Sequence, residues 1–150
     1  MNAENPIYAA YLAAVYERLG AKIEQYRLPP PAFEAMQAEF VGLDLEQNSL
    51  SVRFPVLETE MNPYHIMQGG MIAAAIDNAI GPLSVLVAPA NVTRRMEIVY
   101  STPVQLETGW ITVRARLVER AEPRLVFKAE VFNPHGQRLV RARAEHWILS

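Results

Sequence analysis

Ile7, Tyr8, Tyr11, Leu12, Val15, Leu19, Ile23 and Tyr26 recur at three- and four-residue steps, the spacing that lines one face of a helix. Asn5 can cap such a helix and Pro6 fits its first turn. The pattern predicts an amphipathic helix over roughly 6–26, with Arg18, Lys22 and Glu24 off the stripe, ended by Pro29-Pro30-Pro31. From Phe40 the period changes to two. Val41, Leu43 and Leu45 alternate with Gly42, Asp44 and Glu46; after a turn at Gln47-Asn48, Leu50, Val52 and Phe54 alternate with Ser49, Ser51 and Arg53. Two half-buried antiparallel strands are expected.

Residues 69–88 break that alternation. Gly69-Gly70 is followed by a stretch from Met71 to Ile80 that is apolar nearly all round, which predicts a helix surrounded by protein. Pro82 removes a backbone donor and crowds the carbonyl four residues back, so a kink or break is expected near Ile80, with Leu83–Val87 as a further turn. Four strands follow Asn91. Met96, Ile98 and Tyr100 mark the first, and Ile111, Val113, Ala115 and Leu117 the second. Leu125, Phe127, Ala129 and Val131 mark the third, and Val140, Ala142, Ala144 and Ile148 the fourth, after a turn at Asn133-Pro134-His135-Gly136. Their outer faces carry charges of mixed sign, read as cross-strand pairs on a solvated surface, with a phosphate-binding patch as the alternative. An α+β class follows: a curved antiparallel sheet of about six strands wrapped around one central helix, plus an N-terminal helix. One sheet leaves the far side of that helix uncovered, and a second copy of the chain is a natural lid.

Composition narrows the partners. The chain has 150 residues, 51% apolar and 20% charged, a globular balance. Fourteen Lys and Arg against sixteen Asp and Glu give a net charge of −2, without the basic excess of a nucleic-acid binder. The absence of cysteine removes disulfides and thiolate chemistry. No run is read as reaching the roughly 18 apolar residues that span a bilayer. The opening Met-Asn-Ala-Glu-Asn lacks the basic start of a signal peptide. A cytoplasmic protein with no nucleic-acid or membrane partner is expected.

The chemistry concentrates in Asn62-Pro63-Tyr64-His65-Ile66-Met67-Gln68-Gly69-Gly70, which runs into the apolar helix. The first amides of a helix lack internal acceptors, and glycine there lets a ligand approach the backbone. Such a mouth stabilises an oxyanion; a glycine turn needed only for tight packing is the alternative. Asp77 has only Ala73, Ala74, Ile80 and Gly81 as helical neighbours. A carboxylate within that stripe pairs with another element, faces a water-holding pocket or is protonated. Gly69 and Asp77 lie roughly 12 Å apart along one helix at 1.5 Å per residue. One carbonyl cannot touch both, so a site that uses both takes them from different chains.

The run Asn-Pro-x-x-x-x-Gln-Gly-Gly, followed six residues later by Asp-Asn-Ala-x-Gly over 62–81, resembles the active-site segment of hotdog-fold acyl-CoA thioesterases, of the phenylacetate-pathway (PaaI-like) and 4-hydroxybenzoyl-CoA types. Thr93 to Pro103, ending Tyr100-Ser101-Thr102-Pro103, resembles the family's Tyr-x-x-Pro strand, and Gly136 with Leu139–Ile148 its last strand. The resemblance covers roughly 36–149. It implies a hotdog thioesterase domain over 31–150 behind an N-terminal helical extension over 1–30, homodimers or a dimer of dimers (a homotetramer), sites shared between subunits, and an acyl-CoA substrate. Asp77 matches the catalytic carboxylate, as nucleophile or general base. Gly69 matches the amide that polarises the thioester carbonyl, and Asn62 the polar side chain that orients water or substrate. Gln68 stands where the family commonly has His; it can hydrogen-bond a thioester but carries no proton. Gly81 replaces a Ser or Thr that contacts water in some members. Gly70, His65 and Met67 are assigned to substrate binding, His65 being readable also as a substitute base or as a plain loop residue. No cofactor is expected. Neither His135 nor His146 has metal-like partner spacing, and no metal site is expected. A non-catalytic acyl-ligand-binding protein is the main alternative, and a dehydratase of 3-hydroxyacyl thioesters a further one.

Overall fold

The structure, a computed structural model, describes residues 4–150. Helix α1 spans Pro6–Leu19, a short α2 Pro31–Ala35 and the long α3 Gly69–Val87. The strands are β1 Glu39–Asp44, β2 Ser49–Pro55, β3 Asn91–Tyr100, β4 Trp110–Ala121, β5 Arg124–Phe132 and β6 Arg138–Ile148. They form one six-stranded antiparallel sheet in the order β1-β2-β4-β5-β6-β3. The sheet curls around α3. Ile76, Ala79 and Ile80 of the helix and Leu50, Val113, Phe127 and Ala144 of the sheet are fully buried in one core. The expected α+β class, central helix and strand count are all present.

The first helix is shorter than its apolar stripe predicts. Asn5 caps it as read, its Oδ1 accepting from the Ile7 and Tyr8 amides at 2.9 and 3.0 Å. The α-helix stops at Leu19 because Gly20 adopts φ +55°, and the stripe continues as a 3-10 turn over Gly20–Gln25. Tyr8 and Tyr11 pack edge-on against Phe40. The Tyr11 hydroxyl donates to the Pro82 carbonyl at 3.1 Å, tying α1 to α3.

Two expectations about α3 are corrected. The helix is continuous through Gly81-Pro82 rather than broken near Ile80. Burial of Pro82 and Leu83, the Tyr11 bond and a Ser84 hydroxyl bond to the Gly81 carbonyl at 2.7 Å hold the last turns in place. Its 19 residues are also long and apolar enough to cross a membrane, contrary to the reading of the sequence; here they form the helix that the sheet wraps.

The sheet contains one further correction. A bulge between Phe40 and Gly42 puts Phe40 and Leu43 opposite Val52 and Leu50, so the inward phase is Phe40 and Leu43 rather than Val41, Leu43 and Leu45. Leu45 lies outside the strand and is exposed. On the outer face, Arg116, Lys128 and Arg143 stand directly opposite one another across β4, β5 and β6. Neighbouring positions of that face pair as read, with Glu130 opposite Arg114 and Arg141 and Glu97 opposite Arg143, and the row of three is the like-charge exception. It belongs to a recess of about 660 Å³ on the side of the sheet away from α3. β3 is an edge strand with one free side, and most of its residues are exposed.

Candidate active site

The loop before α3 is built around its own backbone. Asn62 Oδ1 accepts from the Tyr64 and Ile66 amides at 2.9 and 3.1 Å, the local turn that asparagine side chains favour. Its oxygen is therefore committed to the loop, and its Nδ2 is what it has left to offer a ligand. His65 is exposed at φ +61°. Met67 is buried among the core side chains, and its amide bonds the Val104 carbonyl at 2.8 Å. Gln68 precedes the helix in extended conformation; its side chain makes no cap and is exposed. Its amide donates to the Glu60 carbonyl at 2.9 Å, and its carbonyl receives the Met71 and Ile72 amides.

This arrangement leaves the Gly69 and Gly70 N–H groups without an acceptor among the described residues. Gly70 is exposed and a Cβ there would meet nothing within 4 Å. Gly69 is different. The Tyr100 hydroxyl donates to its carbonyl at 2.7 Å, and a Cβ would lie 3.2 Å from the Tyr100 ring. The helix mouth is thus positioned by the last residue of the edge strand. Behind it Glu60 is buried, its pKa raised by burial against the opposing effect of the Leu57 amide at 3.3 Å.

Asp77 lies two helical turns on. It is not enclosed: in the single chain it is exposed, on a face of α3 shared with Gly70 and the half-buried Ala73, Ala74 and Gly81. Its partner comes from β3, where the Thr93 hydroxyl donates to Oδ1 at 2.8 Å. Thr93 stands opposite His146 of β6, with Oγ1 3.0 Å from Nε2. His146 is buried, and its Nδ1 is 2.7 Å from Asn91 Oδ1. Burial lowers the His146 pKa, with the Asp77 charge acting in the opposite sense. Reading the sequence missed Thr93, His146 and Asn91. His146 was detectable, since 140, 142, 144 and 146 share one strand face. Thr93 was not, because a bulge between Thr93 and Arg95 reverses the phase set by Met96, Ile98 and Tyr100. No group of three or more His, Asp or Glu gathers to hold a metal among the described residues.

The structure thus places Gly69, Gly70 and Gln68 at one end of β3 and Asp77 at the other, with Asn62 and His65 in the loop leading to the helix and Met67 inside the core. No family model and no curated protein matches the chain. Solved structures do. The PaaI protein of Escherichia coli, from its phenylacetic acid degradation operon, superposes with a TM-score of 0.76 at 16% identity, over 92% of this chain and 95% of that one. A phenylacetic acid degradation-related protein from Ralstonia eutropha JMP134, named as a candidate thioesterase, gives 0.74 at 23% identity, over 85% and 98%. A Streptococcus mutans UA159 protein bound to acetyl CoA gives 0.70 at 20% identity, over 84% and 94%. The chain has the hotdog fold of these PaaI-like proteins.

Proposed function

We propose that the chain hydrolyses acyl thioesters, acyl-CoA in the first place, at sites shared between two copies. One observation carries this reading: the unpaired Gly69 and Gly70 amides and the Asp77 carboxylate open onto the same exposed edge strand, at its opposite ends. Open edge strands seek partners. Antiparallel pairing of β3 with a second β3 about a two-fold axis brings the Tyr100 end of one strand against the Thr93 end of the other. The helix mouth of one copy then faces Asp77 of its mate, which resolves the separation along α3. The fold shared with a protein named as a candidate thioesterase and with an acetyl-CoA-bound protein supports the substrate class.

In this site the thioester oxygen sits on the Gly69 amide, with Gly70 and the Gln68 side chain as further donors, where charge develops in the tetrahedral intermediate. Asp77 of the other copy reaches the opposite side of the carbonyl carbon. It removes a proton from water as the water attacks, or attacks the carbon itself. Gln68 cannot protonate the leaving thiolate, and the sulfur takes its proton from solvent or from the acid formed at Asp77. The test is thiol release from a panel of acyl-CoAs of different chain types. Turnover of at least one of them, lowered on the order of 10²–10⁴-fold in kcat by Asp77→Asn, is expected. Saturable acyl-CoA binding with no thiol release would instead make this a binding protein.

A further inference from the structure

Behind Asp77 a line of polar atoms leads from solvent into the core. Asn91 Nδ2 donates to the Pro89 carbonyl at 2.8 Å, which fixes its Oδ1 toward His146. An amide oxygen only accepts. The proton of a neutral His146 ring is therefore on Nδ1, and Nε2 presents a lone pair to Thr93 Oγ1, 3.0 Å away. Thr93 has one hydroxyl proton and two neighbours that can accept it, Nε2 and Asp77 Oδ1. Given to the carboxylate, it leaves Nε2 facing an oxygen lone pair at a position only 3% exposed. Given to the ring, it leaves the carboxylate bare. The line is one proton short whenever Asp77 is ionised and His146 neutral.

One added proton satisfies every atom in two ways. Either Asp77 is protonated and donates to Thr93, which donates to Nε2, or Asp77 is ionised and Thr93 accepts from a charged imidazolium. The two forms hold the same protons and differ only by a shift along the line. We infer that His146 is a positioning residue that stores, through the Thr93 hydroxyl, the proton that Asp77 takes from water. The inference rests on the hydrolase reading and narrows it, because such a store serves a base and not a nucleophile. As the water oxygen bonds to the carbonyl carbon, its proton goes to Asp77 and the π pair to the carbonyl oxygen. Asp77 passes a proton to Thr93 Oγ1 while the Thr93 proton moves to Nε2. When the C–S bond breaks, the same path returns the proton through Asp77 to the sulfur or to solvent, and the products are acid and thiol. The other elements around the ring offer no competing charge: Leu125 and Phe127 of β5 are apolar, Asn91 and Thr93 of β3 are neutral, and Asp77 is the charge that acts on it. Burial favours the neutral ring, so His146 rests in the accepting state.

The experiment compares wild type with Thr93→Val, Thr93→Ser and His146→Gln. Thr93→Val keeps the shape and removes the hydroxyl. Thr93→Val and His146→Gln should each lower kcat about tenfold or more with KM within about twofold, and Thr93→Ser should retain most of the activity. The acid limb of the kcat profile should change in His146→Gln, because the ring that shares the proton is gone. Should His146→Gln fail to fold, Thr93→Val with its Thr93→Ser rescue decides. Imidazole ¹⁵N NMR gives a readout independent of turnover. It should find the neutral His146 ring protonated on Nδ1, with a titration midpoint that moves in Asp77→Asn. Wild-type kcat in Thr93→Val, an Nε2-protonated neutral ring, or a midpoint indifferent to Asp77→Asn overturns the relay. A wild-type protein that releases no thiol sinks the hydrolase reading and the relay's catalytic role with it, while the NMR result separately decides the His146 tautomer and its coupling to Asp77.

Discussion

Tyr100 holds Gly69 from two directions, its hydroxyl on the glycine carbonyl at 2.7 Å and its ring 3.2 Å from where a Cβ would be. That distance is too short for an ordinary side-chain contact, so an added methyl displaces either the ring or the first turn of α3. The Gly69 amide, which we propose receives the thioester oxygen, moves with the latter. Gly69→Ala should lower kcat by ten- to a hundredfold, on the order of what small misplacements of a reacting group cost. Combining it with Tyr100→Ala, which empties the space, should restore part of that loss. Unchanged kinetics in Gly69→Ala would show that this close approach does not set the amide.

Tyr11 joins the N-terminal helix to the central one. Its hydroxyl bond to the Pro82 carbonyl is buried, and burial raises its pKa. Tyr11→Phe removes that bond and should cost about 1 kcal/mol. Tyr11→Ala also empties the space beside Phe40 and should cost about 3–5 kcal/mol, or roughly 10 °C in Tm for a chain of this size. Thermal unfolding of the two variants separates the bond from the packing.

Glu60 gives a pH signature in stability. Its folded pKa is raised by burial, so the folded state binds the proton more tightly than the unfolded chain does. Stability is therefore lost as pH rises through the carboxylate range and above it. Glu60→Gln, whose amide oxygen can still accept from Leu57, should raise Tm at about pH 8 and leave it unchanged near pH 4. An equal gain at both pH values would exclude ionisation as the cause.

His146 works in the opposite sense. Its folded pKa is lowered, by burial first, so the stability it contributes is present above the ordinary histidine value of about 6.5 and is lost as pH falls below it. Denaturant midpoints should fall between about pH 7 and pH 5 in wild type, and less so in His146→Gln.

The like-charge row on the outer face makes a simple stability test. Lys128 stands between Arg116 and Arg143, and like charges directly opposite each other destabilise a sheet. Lys128→Glu converts two repulsive pairs to attractive ones and should raise stability by about 1 kcal/mol, or roughly 2–4 °C. The gain should shrink in high salt.

Much of this architecture was legible in the sequence, because its driving force is periodic burial. Ile111, Val113 and Ala115, or Leu125, Phe127 and Ala129, advertise a strand face, and all of them are inside. The places where reading failed are places where one residue resets the pattern. Gly20 ends the α-helical part of the N-terminal stripe, and bulges after Phe40 and Thr93 reverse the inward phase. Pro82 carries a strong local signal for a break, which packing from Tyr11 and the sheet overrides. The candidate site divides in the same way. Asp77 and Gly69 stand out by residue type against an apolar background. The partner of Asp77 depends on the Thr93 bulge, which no alternation of apolar residues records.

β3 has one consequence for any measurement on the purified protein. An edge that bears the amide at one end and the carboxylate at the other makes association a step of turnover when two copies complete the site. Specific activity would then fall on dilution below the dissociation constant, and a lone chain, however well folded, would hold two incomplete halves.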